Sequence, residues 1–113
     1  DGYRAMKNIL KLEEQPTAIF CASDLLAIGA IQAAKEAGKN VPNDYSIIGF
    51  DGVDIGQLIT PRLTTIRQDA QKMGEIAARK TFQFLDNPKT IKKGEIFTVD
   101  TFLINGESTR VLK

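Results

Sequence analysis

Two short apolar runs, "TAIFCA" at 17–22 and "YSIIGF" at 45–50, flank the segment "SDLLAIGAIQAAKEAG" at 23–38, and this spacing restricts the fold more than any other feature. Both runs are rich in β-formers and too short to be helices. The segment between them opens on Ser23 and Asp24, both helix-capping types, and closes on Gly38, so it reads as a helix with its start and stop in place. Strand, helix and strand in that order make a βαβ unit, whose strands run parallel with a right-handed crossover. The second run follows the turn cluster "NVPND" at 40–44 and is apolar on both faces, as suits a strand covered by helices on either side.

The flanking segments extend the pattern. Residues 3–13 place Ala5, Met6, Ile9, Leu10 and Leu12 at helical spacing, and Pro16 stops that helix. "LTTI" at 63–66 is a third candidate strand, followed by a helix from about 69 to 86. Its apolar seam is Met73, Ile76, Ala77, Phe84 and Leu85, with Lys72, Glu75, Arg79 and Lys80 on the other face. "GEIFTVDTFLI" at 94–104 reads as one last strand at an edge. The expected fold is α/β, three-layered, with a mostly parallel sheet and helices on both faces.

Composition excludes several functions. Fifteen basic residues against fourteen acidic ones leave no electrostatic footprint for nucleic acid, and no apolar stretch approaches the roughly 20 residues that a membrane-spanning helix needs. The lone Cys21 rules out an internal disulfide, and its place in a strand marks a buried, inert thiol. Without histidine the commonest general base and metal ligand is missing, and no serine or cysteine has a visible activating partner. "DGVD" at 51–54 lacks the further spaced oxygens of a calcium or magnesium loop, and "GFDG" is not a phosphate-cradling pattern. Binding is favoured over catalysis, with no metal or cofactor. At 113 residues the chain is long enough for one domain, but "DGYRAMKNILKL" enters a helix directly, without initiator methionine or leader, so a fragment of a longer protein is expected.

Asp51 ends an apolar strand with a charge, which needs water or a partner. In an open parallel sheet, ligands meet the protein at the carboxyl ends of the strands. Ser23 and Asp24 follow the first strand, Asp51 follows the second and Gln68 the third, so the fold brings all four to one edge. There Asp51 can accept hydrogen bonds from a polyol or a base. Structural readings stand beside this one: Asp24, alone or with Ser23, as a helix cap, Asp51 and Asp54 as turn formers, and Gly29 as a close-packing position.

Taken together, "AIFCASDLLAIGA", "VPNDYSIIGFD" and "LTTIRQ", in this order, with "MGEIAARKTFQFL" and "ESTR" beyond, closely resemble the LacI/GalR family of sugar-responsive transcriptional repressors. The resemblance covers nearly the whole chain and implies a periplasmic-binding-protein-like core with Rossmann-like subdomains. It makes residues 1–113 the C-terminal part of the effector-binding and dimerisation core. The N-terminal subdomain and the DNA-binding domain would lie outside this chain. It implies that Asp51, Ser23 and Gln68 contact an effector (a sugar, a sugar phosphate or a nucleobase), with Asp24 a helix cap or a support behind them. Ser23 departs from the family, where asparagine is common, and Gly106 stands where an arginine is common. A homodimer through Leu25, Ile28, Ile55, Leu58 and Ile59 is implied, with operator DNA read only by the N-terminal domain, in a cytoplasmic protein that is no enzyme and touches no membrane. The alternative is a fragment of a periplasmic sugar-binding transport or chemotaxis receptor, which shares the fold and the pocket.

Overall fold

The computed structural model describes residues 1–90 and 92–112. Its elements in chain order are α1 (Gly2–Ile9), β1 (Ala18–Phe20), α2 (Asp24–Glu36), β2 (Ser46–Asp51), β3 (Thr64–Gln68), α3 (Ala70–Asp86) and β4 (Thr101–Ile104). Single 3-10 turns occupy Asp54–Gln57 and Pro88–Thr90. The four strands form one sheet in the order β1-β2-β3-β4. β1 pairs with β2 and β2 with β3, both in parallel, with Ile19 opposite Ile47 and Asp51 opposite Arg67. The expected βαβ unit is therefore present, and the sheet is mostly parallel as anticipated. By contacts the chain divides into a larger unit, residues 1–67 with 102–113, and a smaller one, residues 68–101.

In the larger unit, α2 turns Ala27, Ala30, Ile31, Ala33 and Ala34 inward to meet Met6, Tyr45, Ile47 and Leu63. Small side chains on α2 let α1 approach closely. Gly29 belongs to that contact, since a Cβ on it would stand 2.9 Å from the Tyr3 nitrogen, so its role is packing. α1 ends at Ile9, earlier than its period suggests, and Leu12 beyond it is half exposed.

The segment "GESTR" fastens the sheet from below. Ser108 is fully buried; its hydroxyl donates to the Ile47 carbonyl at 2.6 Å and accepts from the Thr64 N–H at 2.8 Å, tying β2 to β3. Arg110 donates to the carbonyls of Pro42 and Asn43, and Glu107 pairs with the Arg62 guanidinium at 3.2 Å. Gly106 is required here, because a Cβ would lie 2.5 Å from the Leu63 carbonyl carbon.

In the smaller unit, α3 runs Ala70–Asp86 with Asp69 as its cap, the hydroxyl-free acceptor being a carboxyl oxygen 2.9 Å from the Lys72 nitrogen. No residue of α3 is buried. The seam exists as a pattern, but Met73, Phe84 and Leu85 are exposed. The expected long strand at 94–104 is a correction: only Thr101–Ile104 is strand, and residues 95–100 have no regular structure. Alternating β-formers make a strand only where a neighbour offers backbone partners.

Candidate functional site

Because β1, β2 and β3 run parallel, their carboxyl ends share one edge of the sheet. Ser23 follows β1 in extended conformation and caps α2, its hydroxyl oxygen accepting from the Leu26 N–H at 3.3 Å. The cap uses an acceptor lone pair and not the hydroxyl hydrogen, so the same group can still donate to a ligand. Asp24 behaves differently from a capping aspartate. It is fully buried, and its carboxyl turns away from its own helix. One oxygen accepts from the Val53 N–H at 2.7 Å and the other from the Thr65 hydroxyl at 2.5 Å. Gly49 in β2 makes room for it, since a Cβ there would press into that carboxyl.

Asp51 closes β2 half-buried, with a backbone φ of 113°, and Gly52 follows at 74°. Positive φ in a residue with a Cβ costs on the order of 1–3 kcal/mol and persists only where the surroundings impose it. Gly52 has a second reason to be glycine, because a Cβ would fall 2.6 Å from the Arg67 Cα. Asp54 opens the following 3-10 turn and faces Arg67 at 3.8 Å, with 92% of its side chain exposed, an ion pair worth little to stability. Gln68 is the last residue of β3 and is partly buried; it falls in the smaller unit.

Two residues at this edge have no part in the expectations drawn from sequence. Phe20, the last residue of β1, and Phe50, next to Asp51, meet edge to face with ring centroids 6.4 Å apart, and Phe20 is 64% exposed. An exposed ring at an edge that also carries hydrogen-bonding residues suits a ligand with one apolar face. The available signal was that each aromatic directly precedes the polar stretch at its strand end, in "FCASD" and "FD". Cys21 lies beneath, buried, and burial pushes its thiol pKa up, which suppresses the reactive thiolate. Among the described residues no group of three or more potential ligands could hold a metal ion.

On the outer side of the same turn, Leu25, Ile55 and Leu58 are 68%, 50% and 83% exposed. Ile28 is partly buried, and Ile59 packs partly against the core. The exposed trio lies at the start of α2 and in the loop before β3.

Comparison with known proteins agrees with this architecture. The periplasmic binding protein-like domain family matches residues 1–109. The HTH-type transcriptional repressor PurR of Erwinia tasmaniensis is 44% identical over 101 residues, covering 89% of this chain and 28% of the repressor. Among solved structures, a LacI family transcriptional regulator from Enterococcus faecalis with bound ribose superposes with a TM-score of 0.87 at 40% identity, over 99% of this chain and 40% of that one. The lac repressor dimer bound to operator and the anti-inducer ONPF gives 0.85 at 27% identity, over 97% of this chain and 37% of that one. The chain thus spans less than half the length of each of these relatives. With the family model matching residues 1–109, the chain belongs to the periplasmic-binding-protein-like domain family, and its repressor relatives put it in the LacI/GalR branch.

Proposed function

We propose that this chain is the C-terminal part of the effector-binding and dimerisation core of a LacI-type transcriptional regulator, and that its effector is a sugar. The observation that carries the reading is Asp51, held at positive φ on the carboxyl edge of a parallel sheet, two residues from the turn that a buried carboxyl fastens. Ser23, after the neighbouring strand β1, supplies a hydroxyl, and Phe20 an exposed ring. The regulator at 40% identity carries ribose, which supports a sugar over a nucleobase. The repressor relatives favour a cytoplasmic regulator over a periplasmic receptor and over an enzyme.

In this reading the sugar is gripped between residues 1–113 and an N-terminal subdomain, and the apolar stripe of α3 is covered by that subdomain. That none of α3 is buried is what supports the second point. Leu25, Ile55 and Leu58 meet a second copy of the chain, and operator DNA is read by headpieces outside this sequence. Regulation is then a linkage: sugar binding favours one closure of the core, and the dimer passes that preference to two DNA-reading domains on two half-sites.

Calorimetric titration of the intact protein with D-ribose and a panel of hexoses tests this. Asp51→Asn converts an acceptor into a donor, and losing a hydrogen bond to a charged group lowers affinity roughly 10- to 150-fold. Asp54→Asn, outside the edge, leaves affinity unchanged. Equal affinity in wild type and Asp51→Asn removes Asp51 from the site.

A further inference from the structure

Asp24 makes no contact that its own helix needs. Its two carboxyl oxygens go instead to two other segments, the Val53 N–H in the turn after β2 and the Thr65 hydroxyl inside β3. It lies in a slot that only glycine leaves open on the β2 side, at Gly49, and Gly56 of the 3-10 turn faces its second oxygen. A fully buried carboxyl is costly unless both oxygens are satisfied, and here the satisfaction depends on the turn staying where it is.

That turn has two ends of different kinds. Two residues before Val53 stands Asp51 at φ 113°, the strained end. Two and five residues after Val53 stand Ile55 and Leu58, the exposed apolar end. The far side of the turn is pinned to the start of β3 by the Leu63 N–H donating to the Gly56 carbonyl at 2.8 Å. Between those ends the Val53 N–H to Asp24 is a side-chain anchor, three residues before the backbone anchor at Gly56. A segment of eight residues, 51–58, held by a buried side-chain anchor at Val53 and a backbone anchor at Gly56, has little slack between the two and shifts as one body.

We propose that Asp24 is a positioning residue: it holds the turn after β2 so that the edge residue Asp51 and the apolar pair Ile55 and Leu58 keep a fixed relation. This deepens the proposed function and rests on it where the sugar is concerned, since it names how a change at the binding edge reaches the surface assigned to the dimer. Asp24 does not touch the sugar. It acts through Val53.

The test is hydrogen exchange on the intact protein, with no sugar present, followed by titration with D-ribose. In Asp24→Asn the amide of Val53 and the peptide spanning 51–58 exchange at least about tenfold faster, while peptides containing Met6 or Ile47 keep their wild-type rates. Thr65→Val keeps the shape of β3, removes the hydroxyl that steadies the carboxyl, and loosens the same peptide by a smaller factor. Unchanged exchange at 51–58 in both variants overturns the proposal, and so does uniform acceleration across the whole chain, which marks Asp24 as a general stability residue. The second arm compares ribose affinity. Asp24→Asn weakens it although no ligand contact is lost, and a variant with a loosened turn but wild-type affinity overturns the link to Asp51. Failure of the wild type to bind any sugar sinks the earlier functional reading, while the exchange arm still decides the role of Asp24.

Discussion

The two units of this chain carry sequence patterns of equal quality and end in opposite states. In the larger unit, every member of a ten-residue apolar cluster is at most 8% exposed. In the smaller one, α3 is a capped helix of 17 residues with a regular apolar seam and not one buried residue. A hydrophobic period states which face of a helix wants cover; it does not state what provides it. Burial in the larger unit comes from elements that the chain itself supplies, with α1 and β2 on either side of α2. For α3 the described residues bury none of that face, although Phe97 and Glu95 meet Lys80 at its side.

The comparison breaks most easily by truncating one side chain in each unit. Ile47, fully buried, should cost about 2–5 kcal/mol on Ile47→Ala, read from urea unfolding of the 113-residue chain. Leu85, 68% exposed, should cost less than about 1 kcal/mol on Leu85→Ala in the same chain. In the intact protein the second value should rise toward the first if the N-terminal subdomain covers α3. A small cost in both settings would show the stripe to be surface.

A smaller effect isolates the fastening of the larger unit. Ser108→Ala leaves the Thr64 N–H facing no acceptor, at a cost of about 1–3 kcal/mol, and chemical denaturation should report it without a change in the slope against denaturant.

The smallest effect is a matter of pH. The Arg62 backbone N–H, and then its guanidinium, hold the Glu107 carboxyl below the ordinary value of 4.5. A depressed carboxyl pKa contributes stability that is complete above the unfolded value and is lost as pH falls through the folded one. The gap between wild type and Glu107→Gln should therefore be constant above pH 4.5 and close below it. Glu36 should follow the same course, its pKa lowered first by the Tyr3 hydroxyl and then by Gln32. A gap that widens on acidification would refute the assignment.

Much of this was legible in the sequence, and the failures have physical causes. The βαβ unit followed from period and spacing alone, because strand and helix periods differ and the capping residues are local. Asp51 was visible as a charge ending an apolar run, but its positive φ was not, since that conformation is imposed by neighbours distant in sequence. Ser23 and Asp24 are both capping types, and nothing local distinguishes the one that caps from the one that turns inward to Val53 and Thr65. The strand expected at 94–100 failed because a strand is a relation between segments. The aromatic pair of Phe20 and Phe50 was missed for the same reason, as it forms only across paired strands.

The buried hydroxyl of Ser108 has a temporal side as well. It reaches back 61 residues to Ile47, and Arg110 reaches 64 residues to Ser46, so the bonds that hold β2 to this segment are among the most distant of the described residues. Loop closure over such separations is slow compared with forming α2, and a nascent chain adds only about 5–20 residues per second. While this protein is being made, β2 and β3 must wait several seconds beside a gap that the segment around Ser108 fills. A chaperone, or the speed of translation itself, has its greatest leverage on the fold in that interval.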